Sequence, residues 1–418
     1  MYLIKHILSL AVFILAIQVL HTAHAAELLK PVPATVTVKF PLGTATPSEV
    51  CGECHKAIYR EYAFGFGGDN HVQDLASVIS GKRDINHPSD VPSPTTAHAM
   101  AGADTFPRHA RESEADGKSC NVCHFPEAFN LPDLNVSEIF KPKPRSKDTE
   151  TAGLSCASCH LTPEGKIRGQ YNIRAPHENS PDARMKTSVM CAYCHSLGKR
   201  VAGKQTQTFL EWRDDFWKQG LGSQNCQDCH MPRTNRKLAE DYAVPSRVAS
   251  RHLWTGGRSS QRLQNALNLV VVQPEKGASQ FQFHVINIGA GHSVPTGSNR
   301  RAVYLQVEIL DAGGKVVTGN SWLFAPWYGG RPDDKAFLEE DKKLPDAKAA
   351  MQADAQGPHE SIIRAGEERI LAWSPVLKPG SYTVQARLVY DLNRYNDLTD
   401  KGDQTLFKAT SLAISVVK

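Results

Sequence analysis

Five cysteine pairs constrain this chain more than any other feature. Each pair has two residues between its members and a histidine directly after it: CGECH (Cys51, Cys54, His55), CNVCH (Cys120, Cys123, His124), CASCH (Cys156, Cys159, His160), CAYCH (Cys191, Cys194, His195) and CQDCH (Cys226, Cys229, His230). The chain has ten cysteines, so none is left over. Histidine is 17 of 418 residues, so five such placements by chance have a probability of about one in ten million. Ten cysteines in an exported chain would ordinarily suggest five disulfides, and CxxC pairs also bind zinc. Neither chemistry requires a histidine after every pair.

CxxCH is the attachment motif for haem c. On one helical turn, positions i and i+3 face the same way. The two thiols can then form thioethers with the two vinyl groups of one porphyrin, and the histidine at i+4 points its imidazole at the iron. The expectation is five haems c, with His55, His124, His160, His195 and His230 as axial ligands.

A second imidazole on each iron needs five more histidines. Three of the seventeen lie near the N-terminus (His6, His21, His24), and nine remain beyond the motif histidines. His71 lies in GFGGDNHVQDL, where glycines let the chain fold back tightly. His98 lies in TTAHAMAG, whose small residues allow close approach to a flat ring. His177 is in IRAPHENSP, an irregular segment before the fourth motif. His252 is in SRHLWTGG, with Trp254 available to pack on a haem. His292 sits in NIGAGHSVPTG, a turn far from any cysteine. These five are the expected distal ligands. Gly289, Gly291 and Gly297 would let the His292 backbone turn and approach a porphyrin, and Pro295 would stiffen the loop. His284 falls in a strand pattern, on the face opposite Phe281 and Phe283. His87 and His359 read as loop residues, and His109 is the main rival to His71 and His98. Met100 and Met231 are the nearby thioether alternatives, which would raise the potential.

The first 25 residues have a positive Lys5, an apolar run from Ile7 to Leu20, and Ala23-His24-Ala25 as a small-x-small cleavage site. The run is short for a membrane span of ~20 residues. A cleaved signal peptide is expected, with a mature protein that is periplasmic or extracellular and has no membrane anchor. A net charge of +5 with no long block of one sign argues against nucleic acid as a partner.

Residues 26–260 hold all five motifs and are rich in Gly, Pro, Asn and Asp. This region is expected to be mainly irregular and α, with porphyrins supplying much of the buried apolar surface, so that the apo-protein folds poorly. QTFLEWRDDFWKQG reads as a helix with Phe209, Trp212 and Phe216 on one face. Leu131 to Gly153 reads as an irregular connector. From 261 to 418 cysteine disappears and alternation takes over. Val303, Leu305, Val307 and Ile309 share one face of AVYLQVEIL; SYTVQARLVY and LAISVV alternate likewise. Short strands joined by Gly, Pro and Asp turns predict an antiparallel β-sandwich.

Several phrases carry a family likeness: CHKAIYREY followed by DNH, TFLEWRDDFWKQGLGSQNCQDCHMPR, HLWTGG, and NIGAGHSVPTGSNRR opening a region that ends VQARLVYDLNRY. In these the chain resembles the multihaem cytochromes c related to the tetrahaem carrier of ammonia-oxidising bacteria, a group that also contains filament-forming extracellular cytochromes. The resemblance implies His71, His252 and His292 as axial ligands and, more loosely, His98 and His177. Five motifs in place of four is a departure from the tetrahaem pattern.

The expected function is electron transfer, because an iron with two imidazoles has no open position for substrate. The partners would be redox proteins or extracellular electron acceptors. The rival is an oxidoreductase with one five-coordinate haem; no CxxCK, which marks such a haem in some reductases, occurs. A third reading is a homo-oligomer or a subunit of a conductive filament, with the C-terminal region as a docking module.

Overall fold

The computed structural model describes residues 29–32, 48–64, 154–162, 164–195, 208–257, 259–297, 301–326, 362–392, 394 and 404–417. The second motif (Cys120, Cys123, His124), the proposed ligands His71 and His98, residues 1–25 and the 131–153 connector lie outside the described residues.

Several β-sheets and a few short helices make up the described chain. The helices are α1 (Ser48–Gly52), α2 (Lys56–Phe64), α3 (Cys156–His160), α4 (Val189–His195), α5 (Thr208–Glu211), α6 (Cys226–His230) and α7 (Ser260–Ala266). Helices this short do not persist on their own, since nucleation costs more than one turn returns. They are held by caps and by neighbours. The Ser155 hydroxyl accepts from Ala157 N–H at 3.1 Å to start α3, and Asp228 accepts from Asn225 N–H at 2.8 Å at the start of α6. The expected helix over QTFLEWRDDFWKQG runs from Thr208 to Trp217, but from Trp212 onward it widens into a π-helical turn.

The region expected to be irregular also contains two small ladders. β1 (Ile167–Gly169) pairs parallel with β2 (Asn179–Pro181), and β3 (Arg233–Arg236) pairs antiparallel with β4 (Arg247–Ser250). Its contiguous apolar cluster among the described residues is small: Tyr59, Tyr62 and Ala63, with Trp254 packed against them.

Two antiparallel sheets follow. One has the order β5 (Leu267–Val272), β6 (Phe281–Asn287), β9 (Glu368–Trp373); the other runs β11 (Gln404–Val416), β10 (Gly380–Asp391), β7 (Ala302–Asp311), β8 (Val316–Phe324). Alternation along the strands decides which side is buried. On β6, Phe281, Phe283, Val285 and Asn287 point inward, and His284 faces outward to Glu368, 2.7 Å away. On β7, Val303, Leu305, Val307 and Ile309 are buried, as the alternation predicts. Inward side chains of both sheets belong to one cluster, which takes in Leu269, Phe283, Leu305, Ile309, Leu388 and Ile414. α7 packs on β5 and β11.

Candidate functional site

The four described CxxCH motifs sit at helix ends that place both thiols and the histidine on one turn. α3 and α6 consist of the motif alone, α4 ends with it, and the first motif begins on α1 with His55 N–H bonded to Cys51 C=O at 2.9 Å. Three motif histidines turn Nδ1 toward a backbone carbonyl: His55 to Leu238 (2.8 Å), His160 to Arg168 (2.8 Å) and His230 to Thr255 (2.5 Å). A carbonyl can only accept, so Nδ1 carries the proton in each ring. Nε2 is then left with a free lone pair, the arrangement that orients an imidazole for a metal.

Each of these rings faces a second histidine. The ring centroids of His55 and His177 are 6.4 Å apart, those of His160 and His252 are 6.1 Å apart, and those of His230 and His292 are 6.0 Å apart. Two imidazoles on opposite sides of one metal, each bonded at ~2.0 Å with its centroid ~1 Å further back, would show a separation of ~6 Å. The interplanar angles are 57°, 40° and 13°, so the rings differ in rotation while keeping the same spacing. Among the described residues, Nδ1 of His177 and Nδ1 of His252 are buried without a hydrogen-bond partner, a costly state for a ring nitrogen. Burial is the first cause lowering all six histidine pKa values, with His230 at about 4 and His252 at about 3. At neutral pH the rings are therefore uncharged, the form that binds a metal. The residues present fit haem c.

The distal histidines are delivered by the ladders. His177 lies two residues before β2, His252 two residues after β4, and His292 five residues beyond the end of β6. The His292 loop is tied at both ends. Asn287, fully buried, donates to His292 C=O at 2.9 Å and to Ile363 C=O at 3.1 Å, and Val294 bridges to Ile363. Gly289 is required for close approach, since a Cβ there would strike the Asn265 carbonyl; Gly297 takes a φ of +87°. Trp254 sits edge-on to both His252 and Tyr62, with an unusual φ of 42° that these contacts hold in place.

The thiols are grouped as well. Cys156 is hydrogen-bonded to Cys51, and Cys191 to Cys226. Sharing that bond lowers the Cys226 thiol to about 7 and raises Cys191. The same clasp accompanies each contact. The Ser48 hydroxyl, three residues before Cys51, accepts from Cys156 N–H at 3.1 Å; the Ser188 hydroxyl, three residues before Cys191, accepts from Cys226 N–H at 3.0 Å. Cys159 is close enough to Cys191 to act on it electrostatically, and His195 lies within electrostatic reach of His230 and His292.

Two carboxylates brace the distal histidines, and neither stood out in the sequence. Buried Glu61, on α2, accepts from His252 N–H at 3.0 Å and from Arg251 Nε at 2.6 Å, and forms an ion pair with Arg236 at 2.5 Å. Glu211, at the end of α5, accepts from Ser293 N–H at 3.2 Å and from the Thr296 hydroxyl at 2.7 Å. A Ser three residues before CxxCH, seen twice, was the available signal for the clasps; Glu61 and Glu211 offered none.

A family model described as the Geobacter CxxxxCH...CXXCH motif matches residues 190–230. Here the first of its two motifs reads CAYCH, with two residues rather than four between the cysteines. A penta-heme cytochrome c552 from Thermochromatium tepidum has a similar structure, at a TM-score of 0.54 and 16% identity, covering 88% of this chain and 99% of that one. The chain has the fold and the attachment motifs of a multihaem c-type cytochrome. The C-terminal domain of wzt (TM-score 0.20, 13% identity, 37% of this chain and 75% of that one) and a glycosyl hydrolase family 2 member from Bacteroides cellulosilyticus DSM 14838 (TM-score 0.18, 16% identity, 36% and 16%) are likenesses too weak to carry an argument. No curated protein matches. Among the described residues, no helix is long and apolar enough to cross a membrane.

Proposed function

We propose that this protein is an electron carrier outside the cytoplasm, with five haems c held mostly by paired histidines. The observation that carries this reading is the set of three histidine pairs at 6.0–6.4 Å, each joining a motif histidine to one from a distant segment. His55 with His177, His160 with His252, and His230 with His292 are the assigned axial pairs; His71 and His98 are proposed for the second and fourth motifs. Haem c would supply one-electron exchange between ferric and ferrous iron. The chain's own residues fix the rings and keep them neutral, and the paired histidines would hold the iron from both sides. Among the four described motifs, the cysteine contacts support a spatial order of attachment points 1, 3, 4, 5.

The finer assignments belong to the same proposal. Residues 1–25 are a leader removed on export. Residues 26–260 form the haem-bearing unit. Residues 261–418 form a two-layer sandwich whose loop contributes His292. Kinship with the tetrahaem carriers of ammonia oxidisers is supported by the GHSVPTG loop and the strands that follow it. Redox proteins or extracellular acceptors are the partners, and assembly into an oligomer or filament is part of the same proposal.

Spectroscopy of the purified protein tests the reading. The expected result is a mass five haems above the polypeptide, five low-spin ferric centres and no carbon monoxide binding after reduction. His292→Ala should convert one of the five to high spin. A high-spin centre in the unaltered protein, or carbon monoxide bound to one haem, would replace the carrier with an enzyme.

A further inference from the structure

Two pairs of attachment motifs meet through the same contact. In one, the Ser48 hydroxyl accepts from the Cys156 N–H at 3.1 Å; in the other, the Ser188 hydroxyl accepts from the Cys226 N–H at 3.0 Å. Each serine stands three residues before the first cysteine of its own motif, Cys51 or Cys191. Each amide belongs to the first residue of a motif helix, α3 or α6, where a backbone N–H has no partner within the helix. Both serines are buried. Each contact also has a second link beside the first. Tyr62, bonded to the Ser48 side chain, donates to Leu154 C=O at 2.6 Å, two residues before Cys156. Asn225, the residue before Cys226, accepts at Oδ1 from the Ser188 N–H at 3.0 Å and from the Ser188 hydroxyl at 3.2 Å.

We propose that Ser48 and Ser188 are positioning residues that fix the spacing within two haem pairs, the first motif with the third and the fourth with the fifth. This rests on the reading of the motifs as haem attachment sites. The thiols also meet at these two places, Cys51 with Cys156 and Cys191 with Cys226. A thioether has no S–H to donate, so haem attachment removes the bond between the sulfurs. The hydroxyl-to-amide bonds involve no sulfur and persist. They tie the backbone that carries one attachment point to the backbone that carries the next.

The contact between the third and fourth motifs is built differently. Cys159 lies within electrostatic reach of Cys191, but the Cys191 N–H is taken by Ser188 C=O, in its own turn, at 3.0 Å. Ser188 therefore serves two motifs: its carbonyl accepts from Cys191 at the start of α4, and its hydroxyl accepts from Cys226 at the start of α6. Gln227 strengthens the second pair by donating to Thr187 C=O at 2.7 Å. The four described attachment points thus form two tied pairs with a different joint between them. Coulomb interaction depends on separation, so the spacing within a pair sets how far reduction of one iron changes the potential of its neighbour.

Electron paramagnetic resonance and redox titration of the intact holoprotein test this. Ser188→Ala should keep the full haem mass and every low-spin centre, while the magnetic interaction within one pair weakens and the gap between its two reduction steps narrows. Ser188→Thr keeps a hydroxyl at the same place and should restore both. Ser48→Ala should act in the same way on a different pair, and the double variant should show the sum of the two changes. Either alanine variant alone decides the case for its own pair. Spectra and titration curves unchanged in an alanine variant would overturn the role of that serine. A shift of all the haems together, or a low-spin centre turned high-spin, would overturn it too, because the serine would then support the fold or the ligation rather than a spacing. If the unaltered protein carries no haem at these motifs, the attachment reading itself fails; if it carries them and the alanine variants change nothing, only the present proposal fails.

Discussion

The two regions of this molecule are stabilised by different means. From Leu267 onward the chain buries large side chains completely: Phe281, Phe283, Leu305, Ile309 and Leu388 are each wholly inaccessible. Each such burial stabilises by ~1.5–3 kcal/mol relative to exposure. Among the described residues before Ser260, the contiguous apolar cluster is three residues and one tryptophan. That region relies on caps, clasps and ion pairs, such as Ser48 to Cys156, Ser188 to Cys226 and Glu61 to Arg236. The difference teaches that the sheets specify themselves, while the cysteine-bearing region is built around groups it must receive.

The most forceful way to break this comparison is to withhold those groups. Expression without haem attachment should leave the two large sheets protected in hydrogen exchange, while amides of α1, α3, α4 and α6 exchange as in an unfolded chain. Equal protection of both regions in that apo-protein would show that the haem-bearing region has a sufficient core of its own.

The same contrast explains what could be read from the sequence. β6, β7 and β10 are legible because alternation and burial agree along all of β6 and through the middle of β7 and β10. The motifs were legible because the chemistry of attachment fixes their spacing. His177, His252 and His292 were chosen from local composition, and the structure brings each to a motif histidine. Which ring meets which was not legible: His230 and His292 are far apart in sequence, and their meeting depends on where the loop after β6 lies relative to α6. β1 to β4 were missed because three or four residues show no periodicity. Glu61 and Glu211 look like ordinary solvent-facing carboxylates until the folded chain encloses them.

A second prediction sharpens the comparison inside the haem-bearing region. If polar bracing does there what apolar packing does in the sheets, removing one brace should cost as much as opening a core cavity. Glu61→Ala leaves Arg236 and Arg251 without their shared anion and frees the His252 amide. Breaking a buried pair by removing one partner costs on the order of 3 kcal/mol. Urea unfolding should show a loss of that size, and the haem proposed for His160 and His252 should change its spectrum while the one proposed for His230 and His292 does not. A loss within the range of a surface substitution would show that the bracing is incidental.

The smallest effect lies where the two regions touch, at the bond between Thr296 and Glu211. The Glu211 carboxyl is raised in the folded protein to about 7, chiefly by burial, whereas an unfolded glutamate titrates at ~4.3. A raised carboxyl binds its proton more tightly when folded, so its contribution to stability is complete below the unfolded value and is lost as pH rises through about 7. The Thr296 hydroxyl opposes that loss by stabilising the ionised form. Thr296→Val removes the donor, so the folded pKa should rise further and the loss should extend to higher pH. The variant should therefore fall behind the unaltered protein by about 1 kcal/mol more at pH 8 than at pH 5, the worth of one hydrogen bond. Urea midpoints at the two pH values measure it. A deficit that is the same at both would mean that Thr296 acts only through packing and that the contact between the regions is not linked to a proton.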